Sequence, residues 1–208
     1  MQRSGGWYLS VTQPDRRLEV SAAAWRVIVR EGLDRTSMRA IAQEMNCTTG
    51  VVTHYFRNKR ELILFALHQV TARLQGLMGQ AAAERTGCDR LVAMLSSFLP
   101  IDPERQEILR VWVAFLGYAV GREELLADHQ QSAGELRQMI IQELETLQSQ
   151  EQIRPDINLE TEANVLLALV NGISLDTLIQ QQRLSPEQQQ VALQHYMDGL
   201  QNSKSRAV

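Results

Sequence analysis

Three helix-start signals crowd into residues 36–62, and no other feature of the chain narrows its possible folds as much. Thr36 can cap the orphan amides of a helix whose Met38, Ile41, Ala42 and Met45 recur on one face. Asn46 tolerates the left-handed conformation that ends such a helix, and Thr48 then offers a second cap ahead of Val51, Val52, Tyr55 and Phe56. Asn58, with Glu61 three residues on, resembles a capping box and opens a longer helix through Leu62, Phe65, Ala66 and Gln69. A helix, a turn and a second helix within about twenty residues is the layout in which the second helix enters a DNA major groove while the first crosses the backbone.

The polar face of the second helix carries that expectation. Val52 and Phe56 must face a core, which leaves Thr49, Gly50, Thr53 and His54 outward. Short side chains let a helix lie deep in a groove, where threonines meet phosphates or base edges and the Val51 methyls can touch a thymine methyl. Lys59, just beyond, is positioned for a phosphate. The predicted DNA-contact set is Thr36, Ser37, Arg39, Thr48, Thr49, Gly50, Val51, Thr53, His54, Tyr55 and Lys59. Capping alone would also account for Thr48, Thr49 and Asn58, so charge has to separate the two readings.

Residues 1–60 carry ten Lys or Arg against five Asp or Glu, a net +5, whereas residues 61–208 carry eleven against nineteen, a net −8. A chain acidic overall but basic over its first quarter confines its phosphate-attracting field to one end. Arg16, Arg17, Arg26, Arg30, Arg35, Arg39, Arg57, Lys59 and Arg60 supply most of that field.

The same stretch carries a resemblance. Ile41-Ala42, the Thr48-Thr49-Gly50 start of the second helix, His54-Tyr55-Phe56 and Asn58-Lys59-Arg60-Glu61-Leu62 stand in a known order and spacing. They resemble the amino-terminal DNA-binding signature of the TetR family of bacterial transcriptional regulators, together with the preceding helix over 14–31 that Gly32 closes. The wording Thr-Gly-Val-Val-Thr-His-Tyr-Phe is similar to the BetI-like branch, whose best-known members resemble choline-sensing repressors. The resemblance implies an all-α chain, with a three-helix helix-turn-helix head over 12–68 and a helical effector and dimerisation bundle over 69–202. It implies a homodimeric repressor that binds a palindromic double-stranded DNA operator and is released by a small-molecule effector. A DNA-tethered adaptor controlled by a partner protein is the alternative. Thr53 stands where many relatives carry tyrosine, which shifts a phosphate contact to Tyr55 or His54, and Thr49 stands where many have lysine.

Beyond Leu62 the chain reads as helices separated by capping signals, without strand-like alternation or internal repeats. The long helix runs to Ala82. Asp89 opens a helix through Phe98 that Pro100 ends, Asp102-Pro103 opens another through Val120 that Gly121 closes, and further helices span 123–150, 159–182 and 185–200. Residues 202–208 read as a frayed tail. Val165, Leu166, Leu169, Val170, Ile173 and Leu178 surround the 160–179 helix almost completely, so it needs cover on two sides. Either it is central in a monomer, or it pairs with its own copy and the 123–150 helix across a twofold, with Leu136, Ile140, Leu144, Val165, Leu169 and Ile173 at the interface.

Met94, Phe98, Trp112, Phe115 and Tyr118 are the candidate effector-binding residues, although an aromatic stripe at helical spacing is more often packing. With aromatics at 5% of the chain, a cage for a choline-like cation is not evident, so the ligand of the BetI-like branch is not carried over. An enzyme is not expected: His54, His68, His129 and His195 are scattered, and no HExxH, Gly-rich phosphate loop, GxSxG or Cys-His arrangement occurs. Cys47 and Cys88 lack metal or redox spacing and read as buried thiols, so neither cofactor nor metal is expected. The opening residues do not read as a signal peptide, and the apolar stretch 108–121 is interrupted by Arg110 and too short for a bilayer; a cytoplasmic, non-membrane protein is the expectation.

Overall fold

Caps set the helix boundaries. The computed structural model describes residues 16–180 and 183–202, and among them the order is α1 (Arg16–Glu31), α2 (Met38–Glu44), α3 (Thr49–Tyr55), α4 (Lys59–Ala82), α5 (Gly87–Ser96), α6 (Pro103–Ala119), α7 (Glu123–Ser149), α8 (Leu159–Ile179) and α9 (Pro186–Leu200). Asp102 accepts from the Arg105 N–H at 2.8 Å beside Pro103, and Ser185 forms the reciprocal box with Gln188. Other caps differ from expectation. Gly32, at φ +79°, turns the chain after α1 so that Thr36 points inward, where its hydroxyl donates to the Gly32 carbonyl at 2.8 Å; Ser37 instead caps α2, accepting from Ala40 at 3.1 Å. Asn58 accepts from the Glu61 N–H at 2.9 Å as foreseen, but the Glu61 carboxylate reaches back one residue further, to the Arg57 N–H at 2.9 Å. Thr86, not Asp89, is the N-cap residue of α5.

The start of the first helix expected at residue 14, the end of the eighth at 182 and the tail beyond 202 lie outside the described residues. Asn202 itself is tied down, donating to the Gln152 carbonyl at 3.0 Å. Cys88 is buried as foreseen, and burial pushes its thiol above the usual cysteine value, whereas Cys47 is only half-buried.

Helix faces sort into packed cores. Val20, Ala23, Ala24 and Val27 of α1 meet Ile41, Val52, Phe56 and Leu62 in the head. Ile28 and Leu33 turn the other way and join Ile63, Leu67, Val70 and Leu74 of α4 with Ile108, Val111 and Phe115 of α6. So α1 and α4 each bridge these two cores, α4 also packs Met78 and Ala82 on Met94 of α5, and it runs unbroken past residue 68, about 36 Å in all. The third core gathers Leu91, Leu95, Ile140, Leu144, Leu147, Leu166, Val170, Leu193 and Met197 from α5, α7, α8 and α9, with Leu99 from the turn after α5. Tyr196 of α9 donates to Glu162 of α8 at 2.5 Å, and burial, followed by that carboxylate, pushes its phenol up to about 12.

These cores correct the expected dimer surface. Ile140, Leu144 and Ile173 are buried in their own protomer, and Leu136 is partly buried against the same core, because the face of α7 that carries them covers α5 and α8. Leu169 is half-buried. Val165 remains 38% exposed, and with Ala168, Gly172, Leu175 and Ile179 it forms an outward stripe at alternating three- and four-residue spacing on α8. By length and composition α8, rather than 108–121, is the described helix apolar enough to cross a bilayer; its other side lies in the third core.

Candidate nucleic-acid interface and effector cavity

Helix α3 is held by two side chains. Val52 and Phe56 are completely buried, and Arg17 of α1 lies 5.0 Å from the rings of both Phe56 and Phe65 while pairing with Glu61 at 3.4 Å. The rest of α3 is turned out except Tyr55: Thr49, Gly50, Thr53 and His54 are exposed, Val51 is 37% exposed, and Tyr55 is half-buried against the head core with His54 edge-on to it at 4.9 Å. Thr48 occupies the N-cap position without a side-chain cap bond, so its exposed hydroxyl is left for another partner. The Thr53 hydroxyl donates to the Gly50 carbonyl at 3.2 Å. Ser37 and Arg39 are exposed on α2 beside this face.

Two predicted contacts face elsewhere. Thr36 is buried, as above, with its hydroxyl satisfied. The Lys59 ammonium donates to the Leu33 carbonyl at 2.5 Å and lies 5.3 Å from the centre of the Tyr118 ring, whose other neighbour is the Arg122 guanidinium at 4.1 Å. Burial holds the Lys59 pKa below its ordinary value, partly offset by Asp34. Lys59 is therefore a tie between the α1–α2 turn and the end of α6, because the first turn of α4 lies where those two meet. The basic field is also thinner than the sequence implies. Arg26 and Arg30 both clamp Glu44, at 2.7 and 2.8 Å, and hold its carboxyl below the usual carboxylate range. Arg35, Arg39 and Arg57 are exposed and carry no ion pair among the described residues.

Between α4, α6, α7 and α8 lies a cavity of about 190 Å³. Thr71, Leu74, Gln75 and Met78 of α4 face Leu109 and Trp112 of α6, His129, Ser132, Ala133, Glu135, Leu136 and Met139 of α7, and Leu167 and Asn171 of α8; Phe98 closes one end. Of the five aromatic and soft residues expected here, Phe98 and Trp112 line it. Met94 and Phe115 are packed in cores, and Tyr118 lies under Lys59 and Arg122. The Ser174 hydroxyl holds the Phe98 carbonyl and so fixes that wall. His129 approaches Trp112 and Phe115 with ring centres 6.2 and 6.4 Å apart, and burial keeps its imidazole below the ordinary value. Glu135, exposed at the rim, is the one carboxylate among the described lining residues, which include no lysine or arginine. Sequence reasoning missed the α7 wall, although its signal was available: Ser132 and Ala133 place small side chains on the inward face, where larger ones would have filled the space.

Known proteins align with both regions. Residues 21–65 match the family of bacterial regulatory proteins called tetR, and residues 88–202 match the carboxy-terminal part of BetI-type transcriptional repressors. The HTH-type transcriptional regulator PksA of Bacillus subtilis is 27% identical over 186 residues, covering 86% of this chain and 87% of that protein. The HTH-type transcriptional regulator BetI of Vibrio vulnificus is 25% identical over 191 residues, covering 88% and 91%. A transcriptional regulator of Saccharomonospora viridis, solved in complex with choline, shares the fold with a TM-score of 0.82 at 20% identity, over 89% of this chain and 97% of that one. These matched families are regulators of transcription and not enzymes. With an exposed helix-turn-helix face at one end and a BetI-type bundle over the remainder, the chain belongs to the TetR family of bacterial transcriptional regulators.

Proposed function

We propose that the protein is a homodimeric repressor whose paired α3 helices read the half-sites of a near-palindromic operator about one DNA turn apart. The head is assigned to 12–68, of which 12–15 lie outside the described residues, and the effector and dimerisation body to 69–202. The observation that carries this reading is the exposed outward side of 48–54, with Arg35, Arg39 and Arg57 exposed on its flanks and without an ion pair among the described residues. Ser37, Arg39, Thr48, Thr49, Gly50, Val51, Thr53 and His54, with Tyr55 at the edge, are the contacts; Thr36 and Lys59 support them from behind. The α8 stripe of Val165, Ala168, Gly172, Leu175 and Ile179 is the dimer seam, since its spacing suits helix pairing and its small members allow close approach. Nuclease protection by the purified protein of an inverted repeat beside its own gene tests the assignment. A protein indifferent to any duplex at low salt overturns it.

The effector we assign to the cavity is a compact organic cation with an apolar body. Two aromatic residues, a neutral imidazole and a rim carboxylate, with no lysine or arginine among the described lining residues, favour such a molecule over an anion. This revises the inference from aromatic content alone, because Phe98 and Trp112 converge although aromatics are sparse. It agrees with the choline bound to the Saccharomonospora viridis regulator. Choline and tetraethylammonium are expected to raise the melting temperature where decanoate does not. Glu135→Gln is expected to weaken the cations about fivefold, the worth of a partly exposed charge pair. Equal stabilisation by decanoate sinks the assignment.

A further inference from the structure

Helix α3 contains a glycine that its own fold does not require. Gly50 is not among the glycines with positive φ, and a Cβ built there would meet only the Thr48 hydroxyl oxygen, at 3.7 Å, an ordinary contact. Glycine in a helix is destabilising relative to alanine, so the space above Gly50 is kept free at some expense to α3. Counting 100° per residue, the completely buried Val52 and Phe56 lie nearly opposite Gly50 and His54, which puts His54 at the centre of the outward face and Gly50 one turn before it, about 40° to the side.

The groups around that gap are poor in long donors. Residues 48–55 contain no Arg, Lys, Asn or Gln, so α3 cannot make the bidentate contacts that read guanine or adenine. Thr53 spends its hydroxyl proton on the Gly50 carbonyl. Val51, 37% exposed on a helix of seven residues, offers two methyls where a soluble surface would favour a polar side chain. Among the described residues, exposed arginines lie on the flanks of this face, at Arg35, Arg39 and Arg57.

Resting on the reading of α3 as the DNA-contacting helix, we propose that α3 recognises its operator half-site chiefly by thymine 5-methyl groups, with Gly50 as the clearance that lets the helix backbone approach the base edges and Val51 and Thr53 as the methyl-contacting side chains. Arginines on the flanks fix register on the phosphates, and methyl complementarity selects the sequence.

The test uses the full-length protein and a random-sequence duplex pool. From the recovered consensus, duplexes are made in which one thymine at a time is replaced by uracil, which removes only the 5-methyl. Wild type is expected to lose about fourfold in affinity at one or two positions per half-site, the worth of one buried methyl. Val51→Ala is expected to bind the thymine duplex more weakly and to lose discrimination at one of those positions. Gly50→Ala is expected to melt about 2 °C higher. The same variant is expected to bind about tenfold more weakly, as overfilling a close contact does. Insensitivity to every uracil, or wild-type affinity of Gly50→Ala, overturns the proposal while leaving DNA binding standing. Recovery of no binding sequence overturns both.

Discussion

Lys59 shows how far a single side chain can depart from its local reading. Next to a recognition helix, a lysine looks like a phosphate contact, but its nearest partner is the Leu33 carbonyl, 26 residues away in sequence. Lys59→Met should cost about 1 kcal/mol of stability by denaturant titration, since the tie is charged but partly exposed. It should leave the salt dependence of DNA affinity unchanged, whereas Arg39→Ala should reduce the slope by about 1 per head. His129 offers a second test at this scale. Its folded pKa lies below the ordinary 6.5, so on acidification the unfolded chain binds a proton before the folded one does. Stability should therefore fall as the pH drops through the ordinary 6.5 toward the lower folded value, and calorimetry should find a smaller fall in His129→Gln. Caps such as Ser185 with Gln188 were legible because both partners sit within one turn of chain. Thr36 and Lys59 were not, because their partners depend on how the α1–α2 turn folds back.

Among elements, α7 and α8 divided the apolar surface differently from the sequence reading. Both carry stripes, and periodicity reports that a face is covered without saying by what. The α7 stripe is covered within the chain itself, and the α8 stripe is exposed. Leu144→Ala should cost about 3 kcal/mol without changing the oligomeric state, as a fully buried leucine does. Leu175→Glu, at a 43% exposed position, should fold normally but sediment as a monomer and lose cooperative operator binding. A dimer that survives Leu175→Glu would move the seam elsewhere. The starts of α6 and α9 were readable from Asp102 and Ser185, whose side chains each take an amide three residues on, whereas the Asn158 cap of α8 was not foreseen.

For the molecule as a whole, the division into head and body is one of function more than of folding. Residues 20–27 of α1 and Leu62 close the head core, while Ile28 and Ile63, each one residue on from its neighbour, already belong to the body. Neither part can melt without unsealing the other. A single calorimetric endotherm is expected, equal in van't Hoff and measured enthalpy at fixed protein concentration; two separated endotherms would count against it. The all-helical class and the placement of the DNA-facing end were legible because local periodicity and capping decide them. The cavity was legible only in part: Phe98 and Trp112 were foreseen, but a gap among four helices depends on how those helices pack.

Residues 59–75, the part of α4 from the DNA-facing end to the cavity wall, contain neither glycine nor proline. That span is a rod of about 24 Å with no joint. A tilt of about 5° seated at the cavity would swing its far tip by about 2 Å, comparable to a helix shift in switching proteins. Gearing of this kind needs no chain of bonded messengers: in the proposed dimer, stiffness alone would convert a small intrusion at one end into misaligned reading heads at the other.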